Sequence, residues 1–214
     1  MLKIILMRHG QTLSNIQKIY QGQGDSPLSK NGTAQAKLAA KFLKNVNLDA
    51  IYCSDLKRSE ATAKIIAKYH PKTPILKLRT LRERYYGDWE GLTFEAIAEK
   101  YKKLYATWEK NPIKASIPHA EKLKDLQDRV VKTVKKLVKK HKSGTILIVG
   151  HGGVNRALLF HYLGMPLNNF WKIKQDNCCI NIILTDGEKS KVTLLNSVCF
   201  LKEPNLKNGD DALS

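Results

Sequence analysis

The sequence predicts an α/β fold, a three-layer α/β/α sandwich with a mainly parallel central sheet. Two short apolar runs, Leu2 to Met7 and Thr145 to Gly150, have the length and continuity of strands covered on both faces. Stretches with helical spacing alternate with these and with shorter strand candidates. Each apolar run ends in a histidine followed by glycine, His9-Gly10 and His151-Gly152-Gly153.

The first strand carries Lys3 as its one charge and stops at Arg8, His9 and Gly10. Ligands of α/β proteins bind where loops leave the carboxyl ends of parallel strands. Arg8 offers a planar fork for an oxyanion, His9 an imidazole nitrogen, and Gly10 lets the backbone come close to a ligand. The loop from Gln11 to Leu28 is long for a compact domain, and long loops are often functional. Its Ser14, Asn15, Gln21, Gly22, Gly24 and Pro27 suit the cradling of an oxyanion by backbone and amide N–H groups.

Ser29 is the expected N-cap of a helix from about Lys30 to Lys44, with Ala36, Ala39, Ala40, Phe42 and Leu43 on its apolar face. A short strand, Ala50 to Cys53, follows. Ser54 or Asp55 then caps a helix reaching Tyr69, before Pro71. Arg58 lies in its first turn. A cation there opposes the helix dipole, and a bound anion would compensate; the alternative is an exposed surface arginine.

Ile75 to Leu78 is a third strand. The next segment, Leu81 to Gly91, sets Glu83 among Arg82, Arg84, Tyr85, Tyr86 and Trp89. A carboxyl against aromatic surface can have a raised pKa and donate a proton; alternatively it pairs with a neighbouring arginine. Thr93 to Trp108 reads as helical and Asn111 to Pro118, with two prolines, as a break. A long amphipathic helix, about Ala120 to Lys142, buries a stripe from Leu123 to Val138 and turns its lysines to solvent. Gly153 to Leu163 is helical, with Gly164 as its stop. Cys178 to Thr185 and Lys191 to Asn196 form a hairpin around Asp186-Gly187. His9 and His151 are expected to face each other across one pocket.

The 214 residues fit one domain with a substantial core. No apolar run approaches the roughly 20 residues of a membrane span, and no secretory signal is evident, so a cytoplasmic location is expected. Cys53, Cys178, Cys179 and Cys199 fall in or near strands without metal-ligand spacing and read as reduced thiols. No metal or other cofactor is expected. The net charge of +18 is mostly lysine spread along the chain. Nucleic-acid binding needs a basic face with a motif or stacking aromatics, so no nucleic-acid partner is expected. A homodimer remains open.

Five segments, LMRHGQTLSN, YQGQGDSPLSKNGTAQA, SDLKRSEATA, LRERYYGDWEG and VGHGGVNRALL, stand in an order that resembles the histidine phosphatase superfamily, with its phosphoglycerate mutase-like fold. The resemblance implies a histidine phosphatase domain, taken over residues 1–199, with residues 200–214 left as a C-terminal tail. The tail, Phe200 to Ser214, is polar and is expected to be frayed. The resemblance implies that His9 takes the phosphoryl group and that Arg8, Arg58 and His151 hold the phosphoryl oxygens. Asn15, Gln21 and Gly22 would line the same pocket, and Glu83 would protonate the leaving oxygen. GDWEG resembles the small phosphatases, including the α-ribazole phosphatases, so a metal-independent phosphomonoesterase acting on a small phosphate ester is the expectation. A 2,3-bisphosphoglycerate-dependent phosphoglycerate mutase and a non-catalytic phospholigand- or nucleic-acid-binding module are the alternatives. Relatives often carry a Pro-Gly-Gly-Glu-Ser-like turn before the long helix; here it is Pro118, His119, Ala120, Glu121 and Lys122, which leaves the natural substrate open.

Overall fold

The computed structural model describes residues 1–201; the expected tail from residue 202 onward lies outside them. The strands are β1 (Leu2–Arg8), β2 (Ala50–Cys53), β3 (Ile75–Lys77), β4 (Gly144–Gly150), β5 (Ile180–Thr185) and β6 (Ser190–Ser197). They form one sheet in the order β3-β2-β4-β1-β5-β6. The first four run parallel, β5 pairs antiparallel with β1, and β6 with β5. Arg8 stands opposite Gly150 in the register. His9 and His151 therefore leave neighbouring strands at the same level.

Alternation along β1 builds two cores, because successive strand side chains point to opposite faces. Leu2, Ile4 and Leu6 join α6 (Leu123–His141) and α7 (Gly152–Tyr162), whereas Ile5 and Met7 join α2 (Lys30–Leu43) and α3 (Lys57–Ala67). These are the two outer layers of the expected sandwich. A third, mostly aromatic cluster of Tyr20, Tyr86, Trp89, Ile97, Trp108, Ala115 and Ile117 lies beside the sheet. Trp108 Nε1 donates to Tyr20 Oη at 3.0 Å, and the Arg84 guanidinium lies over the Trp108 ring. This cluster anchors the segment that carries Glu83. No helix among the described residues is long and apolar enough to cross a membrane.

Several local expectations are corrected. The Gln11–Leu28 loop contains a one-turn helix, α1 (Leu13–Ile16), because Thr12 and Asn15 form a reciprocal capping box. Neither Ser54 nor Asp55 caps α3. Leu56 holds the cap position, and the Lys57 amide donates instead to Asp25 Oδ1, across the chain. The stretch from Thr93 to Trp108 is helical as expected and consists of two helices, α4 (Phe94–Lys100) and α5 (Lys102–Lys110). They are separated at Tyr101, whose φ of −121° and ψ of 36° leave helical space while its ring packs toward Trp89. Cys178 is not in a strand. It sits at φ 57° in the turn before β5, and both it and Cys179 are fully buried. Phe200 and Leu201 are packed rather than frayed: Phe200 stacks on Phe42 and Leu201 joins the α2-side core.

Candidate active site

The carboxyl ends of β1, β2 and β4 converge on a cavity whose walls include Arg8, His9, Asn15, Gln21, Gly22, Arg58 and Glu83. His151, the remaining site residue expected from sequence, is fully buried beside it. Its ring stands edge-on to His9, with centroids 5.2 Å apart and planes at 62°.

His9 is held by its neighbour. Its Nδ1 lies 2.7 Å from the Gly10 carbonyl, an acceptor, so Nδ1 carries the proton and Nε2 keeps a lone pair. Burial first, then the guanidinium groups of Arg58 and Arg8, hold the His9 pKa well below the ordinary imidazole value. The ring is neutral and nucleophilic at neutral pH.

The arginines are fixed by backbone carbonyls. Arg8 donates through one terminal nitrogen to the Gln175 carbonyl at 2.5 Å. Arg58 is 1% exposed, which rules out the surface alternative, and donates to the Gly22 and Gly24 carbonyls, each at 2.6 Å. Gly22 thus enters the site through a carbonyl that aims Arg58, where an N–H was expected. Burial, with Arg8 adding to it, pushes the Arg58 pKa down to about 10, so it stays cationic at neutral pH. Its Nε is buried without a hydrogen-bond partner among the described residues.

Glu83 accepts from two backbone amides, Arg84 N at 2.8 Å and Gly153 N at 2.9 Å. The flanking arginines are engaged elsewhere. Arg82 makes a two-pronged pair with Asp55, and Arg84 donates to the Glu121 carbonyl. A Cβ on Gly153 would stand 2.5 Å from Glu83 Oε1, so any larger residue there would have to displace the carboxyl. Gly10 has a different reason from the one expected. A Cβ there would stand 2.5 Å from the Gly32 carbonyl oxygen, so the close approach is to α2 and not to a ligand.

Asn15 and Gln21 turn their oxygens inward. Thr12 Oγ1 lies 3.0 Å from both Asn15 Oδ1 and Gln21 Oε1, which leaves the amide NH₂ ends for the cavity. His119 is exposed, pairs with Asp88 and does not line the cavity.

Four further contributors were not assigned from sequence. Arg156, on α7, lines the cavity with its guanidinium over Phe170 and Trp171. Tyr86 lines it beside Glu83. Ser54 bonds His151, and Asn177 donates to the His9 carbonyl and to Asn15 Oδ1. A signal for Asn177 was present: a polar Gln175-Asp176-Asn177 stretch directly before a strand that returns alongside β1.

Two histidines, two buried arginines and a carboxyl gathered at one cavity, in this chain order, agree with the family resemblance. The profile of the histidine phosphatase superfamily (branch 1) matches residues 4–198. The chain belongs to that superfamily. Phosphoserine phosphatase 1 of Hydrogenobacter thermophilus is 34% identical over 95% of this chain and 96% of its own. The adenosylcobalamin/alpha-ribazole phosphatase of Escherichia coli K12 is 28% identical over 92% of this chain and 96% of its own. A solved structure, Bacillus stearothermophilus YhfR, superposes with a TM-score of 0.90 at 31% identity, covering 94% of this chain and 100% of that one. The fold is phosphoglycerate mutase-like, and the protein is a phosphatase of the histidine type.

Proposed function

We propose that this histidine phosphatase is a metal-independent phosphomonoesterase that works through a phosphohistidine at His9 Nε2. One observation carries the reading: His9 Nδ1 is spent on the Gly10 carbonyl, so the ring's lone pair is on the remaining nitrogen, in a cavity shared with Arg8, Arg58 and Glu83.

The lone pair on Nε2 attacks phosphorus, and the bond from phosphorus to the ester oxygen breaks. Arg8 and Arg58 offset the charge on the phosphoryl oxygens. Their guanidinium groups are already held by backbone carbonyls, so little reorganisation is needed during the reaction. Glu83, in its protonated form, gives its proton to the departing oxygen. As carboxylate it then takes a proton from the water that attacks the phosphohistidine, releasing phosphate and restoring His9. Asn15 and Gln21 line the same cavity and bind the phosphoryl group through their amide ends.

The substrate is a small phosphate ester. The names of the relatives supply two candidates, phosphoserine and α-ribazole 5′-phosphate. Rapid quench with a ³²P-labelled ester in EDTA tests the mechanism. An acid-labile, base-stable phosphoprotein is expected in the wild type and none in His9→Ala. A labelled phosphohistidine in the variant would sink the assignment. With 3-phosphoglycerate, free phosphate is the expected product; the 2-isomer would mark a mutase.

A further inference from the structure

In the proposed reaction, buried His151 needs a proton on one particular nitrogen. We propose that Ser54 is a positioning residue that fixes the tautomer of His151, so that His151 presents Nδ1–H as a hydrogen-bond donor to the phosphoryl oxygens. The inference rests on the proposed phosphatase reaction for its consequence, though not for its geometry.

Ser54 follows β2, the immediate neighbour of β4, and His151 follows β4. Ser54 Oγ lies 2.7 Å from His151 Nε2, and both residues are fully buried. The serine is pinned on its backbone side as well. Its amide donates to Ser59 Oγ, whose hydroxyl donates in turn to the Val149 carbonyl of β4. Its own oxygen accepts from the Leu56 amide at 3.3 Å.

The direction of the Ser54–His151 bond follows from satisfying the donors. The Ser54 hydroxyl has one proton, and the imidazole is the one acceptor to which it bonds among the described residues. If Nε2–H donated to the serine, the hydroxyl proton would be stranded in a site without water access, which is costly. Nδ1 would then offer a lone pair, and a lone pair facing a phosphoryl oxygen is repulsive. With the serine donating, its own proton is paired, and the one donor left over is His151 Nδ1–H, where a bound phosphoryl oxygen can accept it. His151 Nδ1 is fully buried and has no hydrogen-bond partner among the described residues, as expected of a donor waiting for an oxyanion.

Long-range ¹H–¹⁵N NMR on the full chain labelled at histidine reads the tautomer directly. The wild type is expected to show His151 with Nδ1 protonated and Nε2 bare, and to keep that pattern with vanadate bound. Ser54→Ala is expected to lose it. Its kcat/KM and its vanadate affinity should fall about tenfold to a hundredfold, at or below the loss of a whole oxyanion donor. Ser54→Thr keeps a hydroxyl and should restore both. A wild-type His151 protonated on Nε2 would overturn the proposal. So would Ser54→Ala with Nδ1–H intact, whether activity is kept or lost, because a loss would then come from packing alone. A wild type that forms no phosphohistidine but shows the stated tautomer would remove the catalytic reading and still support the assignment of this bond.

Discussion

His9 and His151 are the same residue at the ends of adjacent parallel strands, each followed by glycine, yet the protein pins them by opposite nitrogens. His9 is held at Nδ1 by the carbonyl of the next residue, 2.7 Å away. His151 is held at Nε2 by the hydroxyl of Ser54, the residue after β2, also at 2.7 Å. A carbonyl can only accept, so it makes its histidine nitrogen a donor. A hydroxyl can donate, so it can make its histidine nitrogen an acceptor. The first arrangement leaves a lone pair on Nε2, and the second leaves a proton on Nδ1. In the proposed mechanism one residue type thereby supplies a nucleophile and an oxyanion donor, with the division of labour set by what touches the far side of each ring.

Removing the two rings one at a time gives the sharpest break in this comparison. His9→Ala is expected to abolish the phosphoenzyme and to lower turnover by at least about 10⁴-fold, as loss of a nucleophile does. His151→Ala is expected to lower kcat by roughly 10²- to 10³-fold, as loss of one oxyanion donor does, while the phosphoenzyme still forms on His9. Single-turnover rapid quench on both variants checks the contrast. Equal losses with no phosphoenzyme in either would mean that the rings act as one unit.

The next effect runs through Gly153, two residues past His151, and the carboxyl it touches. Gly153→Ala would drive a methyl against the Glu83 carboxyl, which two backbone amides hold in place. Glu83→Gln is expected to lower kcat by about 10²- to 10⁴-fold for an alkyl phosphate, whose leaving oxygen needs a proton. The loss should be much smaller for p-nitrophenyl phosphate, whose leaving group departs as an anion. Gly153→Ala should reproduce that leaving-group pattern with a lesser loss. A Glu83 variant that slows both esters equally would deny it the role of proton donor.

The histidine strands were legible because a buried strand is a continuous apolar run, and its end is marked by the first polar residue. That placed Arg8, His9 and His151 correctly on the sheet edge, and the helix pattern placed Arg58. What was not legible depends on contacts across the chain. Ser54 looked like a helix cap because serine before a helix usually is one, but the strand order put its hydroxyl next to His151 and gave the capping task to Asp25. Gly10 looked like a ligand-facing glycine until Gly32 of α2 proved to be its neighbour. Asn177 could not be tied to His9 without knowing that β5 pairs antiparallel with β1. That pairing brings the start of β5 to the sheet edge where β1 ends. Asn177→Ala should lower kcat/KM about tenfold, equivalent to one net buried hydrogen bond, and steady-state kinetics with a circular-dichroism control would measure it.

The smallest effect concerns stability, and it sharpens what the two rings share. Burial, and next the Arg58 charge, hold both His9 and His151 well below the ordinary imidazole pKa. In the unfolded chain each would titrate near 6.5. Below that pH the unfolded state takes up two protons that the folded state refuses, so stability falls with acidification by about 1.4 kcal/mol per pH unit for each ring. The fall starts near the unfolded value and ends only where the folded rings themselves protonate. His70, His141 and His161 are lowered mainly by burial and add to the slope. The lowered carboxylates of Asp55 and Glu60 act only at more acid pH, below their unfolded values near 4. Differences between proteins in the window from pH 6.5 to about 5 therefore isolate single histidines. Urea midpoints across that window should fall less steeply for His9→Gln and for His151→Gln than for the wild type, each by about one proton's worth of slope. An unchanged slope in either variant would show that its ring protonates freely in the folded state, and the neutral nucleophile or the neutral donor would then lose its basis.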